Sequence, residues 1–352
     1  IADGQIDFGI LGRQMLADPN FAQKCIDGQP ERIRRCLRCY KCFPGSPEEG
    51  YTDLPFNSVE LSKHVGACTV NPLANLPFDP YELEPAKTKE KVLVIGGGPA
   101  GMQAAVTLAQ RGFAVTLFEK SAKLGGTLNL AEKPSFKEKL TGLKNTMVEE
   151  LAQLGVEVKL GTEATVETIQ AMAPEGVFLA CGANPVIPSL PGLEGANVTT
   201  AEQLLRNGSE AISGRVAVIG SGLTGLETAE ILAEQGCQVT VFEMQSTIAP
   251  GMFAVIKNDI TGRLEKLGVT LRTGTALTSA NEEGITIKTQ EGLENIACDK
   301  IVLALGVKPD TSLVAGLQQA GYNPLQLGDC SKGGRITEAI FDGFNAAYHF
   351  GA

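Results

Sequence analysis

The chain has 352 residues, of which 20% are charged, and its formal net charge is −10. This length fits two or three globular domains of about 150 residues each. The acidic balance and the lack of a long basic run argue against nucleic acid as a partner. No apolar run approaches the ~18 residues that a membrane span needs. The start, Ile1-Ala2-Asp3-Gly4, has no initiator Met and does not resemble a signal peptide, so we expect further sequence upstream.

The first predicted elements are a strand and a helix. Residues 6–13 form an apolar run that ends in Gly12 and Arg13, and Asp18-Pro19 then opens a predicted helix. This order is similar to the last β/α unit of a TIM barrel, in which the loops after the last two strands commonly bind phosphate. Arg13 would offer such a phosphate a bidentate fork, with the Gly12 amide beside it.

A group of cysteines follows. Cys36, Cys39 and Cys42 are spaced by two residues each, and the next cysteine is Cys68. Three thiolates on a short loop and a distant fourth suit the corners of a cubane iron–sulfur cluster. Zinc is the rival, although structural zinc sites more often use two separated Cys or Cys/His pairs. Four neighbouring cations would offset the negative charge of the cluster: Arg34, Arg35, Arg38 and Lys41.

The remaining cysteines and the two histidines carry weaker signals. Cys25 lies in a helical pattern and is interpreted as a core residue. Cys330 is placed near a cofactor or simply buried. The others are assigned to packing or surface roles: Cys181, Cys237, Cys298, His64 and His349. Scattered single cysteines in a large α/β chain favour a reducing compartment, and we expect a cytoplasmic location.

A strand, a glycine-rich turn, a helix and a second strand follow residue 90. The strand over residues 91–95 leads into Gly96, Gly98 and Gly101, and the strand over residues 115–119 ends in Glu119. This is the dinucleotide-binding fingerprint. The first glycine allows the tight turn, the second lets the backbone approach a pyrophosphate, and the third lets the helix pack on the strand. The acid would accept hydrogen bonds from ribose hydroxyls.

The same pattern occurs again 124 residues later. Its glycines are Gly220, Gly222 and Gly225, and its acid is Glu243. A single glycine fingerprint is weak evidence, but two in the same context, each with a correctly spaced acid, predict two nucleotide sites. Near the end of the chain, Gly328-Asp329 precedes a predicted helix over residues 337–348.

With these motifs, the sequence resembles the two-dinucleotide-domain flavoprotein reductases. The resemblance implies FAD at Gly96, Gly98, Gly101, Glu119 and Asp329, with Gly328 beside it. It implies the nicotinamide cofactor at the second fingerprint. Glu243 would repel a 2′-phosphate, so NADH is expected rather than NADPH.

The order of all these motifs resembles the enoate reductase and dienoyl-CoA reductase family, in which an old-yellow-enzyme-like barrel is fused to a flavoprotein reductase. The resemblance covers only the C-terminal portion of that family. It implies an α/β fold with two Rossmann-like domains of the FAD/NAD(P) reductase type, after the last unit of a truncated TIM barrel and an iron–sulfur loop. We expect a barrel remnant at 1–35, a cluster segment and linker at 36–88, an FAD domain at 89–200 and 310–352, and an NAD(P)H domain at 201–309.

The family resemblance also implies a relay from NADH to FAD, a 4Fe–4S cluster and then FMN, which reduces an activated C=C bond in a 2-enoate or an enoyl or dienoyl thioester. FMN and the catalytic acid would lie mostly in the missing barrel. The alternative is an electron-input module similar to the small subunit of glutamate synthase. A disulfide reductase is disfavoured because residues 121–130 contain no cysteine. The expected partner is a small unsaturated substrate, with a homo-oligomer left open.

Overall fold

The computed structural model describes residues 4–5, 7–43, 67–74, 83, 85–87, 89–134, 136–209 and 212–351. Residues 1–3 and His64 of the sequence predictions lie outside the described residues. None of the helices in these ranges has the length and apolar character that a membrane span needs.

Helices and strands alternate through much of the chain. The first half contains α1 (Arg13–Ala17), α2 (Phe21–Ile26), a 3-10 turn (Pro30–Arg32), β1 (Lys91–Ile95), α3 (Pro99–Gln110), β2 (Ala114–Phe118), α4 (Leu128–Ala131), α5 (Glu138–Gln153), β3 (Glu157–Lys159), α6 (Val166–Met172), β4 (Gly176–Leu179), β5 (Ala183–Pro185), β6 (Val198–Thr200) and α7 (Ala201–Asn207). The second half contains β7 (Arg215–Ile219), α8 (Leu223–Glu234), β8 (Gln238–Phe242), α9 (Ala254–Lys266), β9 (Thr270–Arg272), β10 (Ala276–Asn281), β11 (Gly284–Thr289), β12 (Gly292–Ala297), β13 (Lys300–Leu303), β14 (Val307–Pro309), α10 (Val314–Gln319), β15 (Leu325–Gln326), a second 3-10 turn (Gly328–Cys330) and α11 (Ile336–His349).

The first nucleotide fingerprint lies in a five-stranded parallel sheet with the order β15-β4-β1-β2-β3. Its central strand β1 is buried from Val92 to Ile95. A parallel sheet is covered on both faces, so its strands are continuous apolar runs. Helix α3 covers one face, and α11 packs on α3. A Cβ at Gly343 of α11 would collide with the Ala100 carbonyl, so this glycine permits the close packing of the two helices.

The second fingerprint lies in a sheet of the same design, ordered β6-β13-β7-β8-β9 and parallel throughout. An antiparallel sheet of β10, β11 and β12 packs beside it, and β5 pairs with β14. The chain then returns to the first sheet through β15. The predicted α/β fold with two Rossmann-like domains is therefore confirmed. The second sheet begins with β6, so it starts at Val198, before the expected boundary at residue 201.

The strand predicted over residues 6–13 is not formed in the described residues. Residues 8–11 have no regular structure, and the side chains of Phe8 and Ile10 are 74% and 88% exposed. A strand needs a neighbour to satisfy its backbone hydrogen bonds, and no described strand pairs with this segment. The helix after Pro19 is present as α2, but Cys25 on it is exposed, so its assignment to the core was wrong.

One buried cation connects the cysteine segment to the first domain. The guanidinium of Arg34 donates to both carboxylate oxygens of Glu150 in α5, at 2.5–3.2 Å. It also donates to the Val70 carbonyl and to the Gln103 side chain of α3, both at 2.7 Å. The Arg34 backbone N–H donates to Asp18 at 2.9 Å. One residue thus links the segment before Cys36, the turn after Cys68 and two helices.

We expect Arg34→Met to lower the free energy of unfolding by roughly 1–3 kcal/mol, because it leaves the buried Val70 carbonyl and Gln103 side chain without their donor and the half-buried Glu150 carboxylate unpaired. Arg34→Lys should restore only part of this loss, since an ammonium group cannot reproduce the planar fork. Denaturant unfolding followed by circular dichroism measures both. Arg35→Met is the control, because Arg35 is the next residue and is exposed. Equal stability of the Arg34→Met and Arg35→Met variants would contradict the role of the guanidinium.

Candidate functional site

Two of the three glycines of the first fingerprint are required by close backbone packing, and the remaining one faces open space. Gly96 has a φ of +109°, and a Cβ there would collide with the Ala180 carbonyl. A Cβ at Gly101 would collide with the Gly96 carbonyl, whereas a Cβ at Gly98 would meet nothing within 4 Å. The open space therefore lies in front of Gly98, at the N-terminus of α3. This is where unpaired N–H groups and the helix dipole favour an anion.

The second fingerprint repeats this geometry. Gly220 has a φ of +106° and faces the Ala304 carbonyl, and a Cβ at Gly225 would collide with the Gly220 carbonyl. Gly222 again faces open space. Ala180 and Ala304 follow the equivalent strands β4 and β13, so the internal sequence repeat corresponds to a repeated site.

The two acids lie at the ends of β2 and β8. Glu119 accepts hydrogen bonds from the N–H groups of Gly97 and Ser121, both at 2.8 Å. Glu243 accepts from Ser221, through N–H at 3.1 Å and hydroxyl at 2.7 Å, and from Gln245 N–H at 2.8 Å. Burial would raise the pKa of Glu243, but these hydrogen bonds lower it below its ordinary value. Both acids therefore also fix the adjacent loops, a role that the sequence pattern did not reveal.

A cleft of about 1150 Å³ opens along the first fingerprint. Gly96, Gly98, Glu119 and Asp329 all line it. Asp329 lies in the 3-10 turn before α11 and accepts a hydrogen bond from Gly334 N–H at 2.9 Å. The volume exceeds the upper end of the range typical of small-molecule pockets, roughly 300–1,000 Å³, as an extended dinucleotide requires. The open space at Gly98 and the acids beside it fit FAD.

Residues that follow the second fingerprint also line this cleft. Leu223 and Thr224, at the start of α8, line the cleft, but the glycines of this fingerprint and Glu243 do not. Two contacts cross the cleft nearby: Lys137 forms an ion pair with Glu227 of α8, and the Arg263 guanidinium lies 4.5 Å from the centroid of the Phe136 ring. These cross-domain contacts join residues far apart in sequence, and no local pattern predicted them.

Cys36, Cys39, Cys42 and Cys68 line one small cavity. Between the first three cysteines, Arg38 and Tyr40 have φ angles of +59° and +62°. Residues other than glycine rarely adopt this conformation, and it is concentrated at functional sites. The two turns bring the sulfurs of a short loop to the same cavity, as a shared cluster requires.

The sulfur atoms in this cavity have hydrogen-bond donors. Arg38 N–H donates to Cys36 Sγ at 3.4 Å, and Cys39 Sγ lies 3.1 Å from Thr69 Oγ1. Burial raises the pKa of Cys68 to about 11, although the N–H groups of Val70 and Asn71 act in the opposite direction. A metal-free Cys68 is therefore protonated at neutral pH and must release its proton to become a ligand.

No three His, Cys, Asp or Glu side chains in the described parts of the chain form a site for a metal ion. The ligands of a cubane bind four separate iron atoms, so their sulfur atoms lie further apart than those around one ion. The four cysteines line one cavity, and polar groups lie within hydrogen-bond distance of the sulfur atoms of Cys36 and Cys39. This arrangement fits such a cluster. Of the four expected cations, Arg38 and Lys41 line the cavity, while Arg34 is paired with Glu150 and Arg35 is exposed.

The structure places Arg13 beside the cysteines. Its guanidinium lies 5.5 Å from the centroid of the Tyr40 ring and lines the same cavity. Gly12 precedes α1, and its carbonyl accepts from Met15 N–H at 2.9 Å. The phosphate-binding role of Gly12 and Arg13 remains a prediction.

The other cysteines and the described histidine lie apart from the cluster cavity. Cys237 and Cys298 are buried, as expected for packing residues, and Cys330, which was predicted to lie near a cofactor or simply to be buried, is buried as well. Cys181 is half-buried and lines the large cleft. His349 is exposed at the end of α11.

A pair of substitutions separates the binding and packing roles of the glycines. Gly98→Ala should leave the thermal stability of the apoprotein nearly unchanged, because its Cβ meets nothing within 4 Å in the protein, but should sharply lower FAD content. Gly101→Ala should instead lower the free energy of unfolding by roughly 1–3 kcal/mol, the usual range for overpacking. Flavin absorbance and thermal unfolding measure the two effects. Full FAD content in Gly98→Ala would show that the open space is not the phosphate site.

Comparison with known proteins identifies the family. The model of the pyridine nucleotide-disulphide oxidoreductase family matches residues 90–325. The NADH oxidase of Thermoanaerobacter brockii is 38% identical over 99% of this chain and 52% of its own length. The bilirubin reductase of Mediterraneibacter gnavus (strain CC55_001C) is also 38% identical, over 99% of this chain and 52% of its own length.

Among solved structures, 2-naphthoyl-CoA reductase in complex with 2-naphthoyl-CoA superposes with a TM-score of 0.89. It is 30% identical, and the match covers 99% of this chain and 51% of that one. The chain thus spans about half the length of the relatives that it matches. The family model covers both nucleotide fingerprints and the parallel strands from β1 to β13, and the chain belongs to the pyridine nucleotide-disulphide oxidoreductase family.

Proposed function

We propose that this chain is the NADH-oxidising part of a flavin-dependent ene-reductase, with electrons passing from NADH through FAD and a 4Fe–4S cluster to FMN in a barrel outside the chain. Bound FAD would accept a hydride from NADH and supply electrons one at a time to the cluster. The observation that carries the proposal is a shared wall: residues 37–41 and Thr69 line both the cysteine cavity and the large cleft.

The residues of the first domain would hold FAD. The backbone at Gly98 and the N-terminus of α3 face the space for the pyrophosphate, and Glu119 would accept from the adenosine ribose. Asp329 lines the same cleft, on the turn before α11, and would bind the ribityl chain. These proposed roles assign the FAD binding expected of the family to particular residues of this chain.

The residues of the second domain would hold the nicotinamide nucleotide. Its pyrophosphate would lie at Gly222, before α8, because the space there is open and the helix N-terminus favours negative charge. Leu223 and Thr224 lie on the wall of the flavin cleft, so the first turn of α8 connects the two nucleotide sites. The ion pair of Lys137 with Glu227 and the contact of Arg263 with Phe136 hold the two domains together across this cleft.

The substrate of the intact protein is proposed to be an activated alkene, a 2-enoate or an enoyl or dienoyl thioester. The order of the Gly12-Arg13, cysteine and nucleotide motifs supports this class, and relatives named as reductases of bilirubin and of 2-naphthoyl-CoA are compatible with it. The residues that would select the alkene and protonate it are assigned to the barrel.

We expect NADH to be preferred over NADPH by at least about tenfold in affinity, or about 1.4 kcal/mol. Glu243 is ionised at neutral pH because its pKa is lowered, and Met244 and Gln245 supply no cation to a 2′-phosphate. Stopped-flow reduction of FAD by each nucleotide measures the preference. Glu243→Gln removes the charge and should narrow the difference. Equal or faster reduction by NADPH in the unsubstituted protein would refute the expectation.

The relay predicts separate effects on FAD and on iron. The FAD- and cluster-loaded chain should oxidise NADH and reduce a one-electron dye, but should not reduce an unsaturated acid or thioester without the barrel. Cys39→Ser should lose most of its iron while FAD and its reduction by NADH are retained. Cys25→Ser is the matched control, since Cys25 is an exposed cysteine outside the cavity.

Two results would overturn this assignment. One is an anaerobically purified protein that contains zinc and no acid-labile sulfide. The other is alkene reduction by the 352-residue chain alone, because the proposed division of labour places that reaction in the barrel.

A further inference from the structure

A chain of three polar atoms joins the cysteine cavity to the flavin cleft. Cys39 Sγ lies 3.1 Å from Thr69 Oγ1, and Thr69 Oγ1 lies 2.7 Å from Thr337 Oγ1. Thr337 is in the first turn of α11, and both threonines line the cleft. Residues 39, 69 and 337 are far apart in sequence, so tertiary packing alone brings them together.

Ligation of Cys39 would fix the direction of both hydrogen bonds. A hydroxyl group has one proton to donate and two lone pairs that accept. A ligand thiolate carries no proton, so Thr69 must donate to Cys39 Sγ. Thr69 then has no second proton for Thr337, and the Thr337 hydroxyl must donate to Thr69.

The buried position of Thr69 strengthens its hydrogen bond to Cys39 Sγ. Thr69 is only 3% exposed, so water does not compete for its hydroxyl. Hydrogen bonds in series polarise one another in a low-dielectric interior. Cys36 receives its described hydrogen bond from a backbone N–H group, whereas the partner of Cys39 is a side chain and can be removed by substitution.

We propose that Thr69, supported by Thr337, is a positioning residue that raises the reduction potential of the cluster bound at Cys39 and so favours its reduction from the flavin side. The inference rests on the proposed function, because it requires a cluster at the four cysteines. Hydrogen bonds to the sulfur atoms are one of the factors that set the potential of iron–sulfur clusters. A donor stabilises the additional negative charge of the reduced form, so its loss lowers the potential.

The test is a redox titration of the cluster followed by electron paramagnetic resonance in the holoprotein. Thr69→Val should shift the potential to a more negative value and change the spectrum of the reduced cluster. Thr69→Ser keeps the hydroxyl group, so the reduction potential of its cluster should stay close to that of the unsubstituted protein. Thr337→Val should give a smaller shift of the same sign, because Thr69 still donates to Cys39 but has lost its own donor.

Thr116→Val is the control, since Thr116 is a buried threonine of β2 that bonds to Glu157 and not to a cysteine. Iron, sulfide and FAD contents are measured for every variant. If Thr69→Val loses its iron, the Thr337→Val and Thr69→Ser variants decide the question.

The inference fails if iron-loaded Thr69→Val has the potential of the unsubstituted protein, or if Thr69→Ser shifts as far as Thr69→Val. In the case of iron loss by Thr69→Val, an unshifted Thr337→Val also refutes it. A protein without iron and sulfide before any substitution would instead refute the proposed function. The two failures are therefore distinguishable.

Discussion

The placement of the cysteine loop depends on the buried guanidinium of Arg34. Four groups around this residue, from the segments on either side of the loop and from two helices of the first domain, accept its hydrogen bonds. Burial would lower the pKa of Arg34, but the Glu150 carboxylate raises it above the ordinary value. A charge in this environment is stable only with its full set of partners. The same contacts therefore hold the loop in the position in which it forms part of the wall of the large cleft.

The two nucleotide-binding domains have the same set of close backbone contacts at their glycine-rich turns. In each, a glycine with positive φ faces the carbonyl of an alanine at the end of the neighbouring strand, and a third glycine lets the helix approach the turn. These contacts leave the space in front of the middle glycine open. The acid at the end of the next strand then hydrogen-bonds to the loop that borders this space. The site is thus a consequence of backbone packing as much as of ligand chemistry.

The shared wall gives the proposed relay its physical basis. An exchange of single electrons requires short distances between cofactors but no direct contact of their reacting atoms. A loop that lines both the cysteine cavity and the large cleft proposed to bind FAD provides such proximity. The Thr69 hydroxyl adds a polar contact across this wall, and the ion pair of Lys137 with Glu227 connects the nicotinamide-binding domain to the same cleft.

The sequence by itself indicated the two strand–glycine–helix units and their acids, because each strand, turn and helix are neighbours in the chain, and it indicated the cysteine site, because three of its four cysteines lie within seven residues. It also led to errors: the strand over residues 6–13 has no partner in the described structure, Cys25 is exposed, and Arg34 and Arg35 do not line the cysteine cavity. Tertiary structure alone decided that Arg34 binds Glu150 instead of facing the cluster, and that Thr69 lies between Cys39 and Thr337. Those contacts join segments up to 268 residues apart. Their energies depend on burial and geometry, which no local pattern of residues encodes.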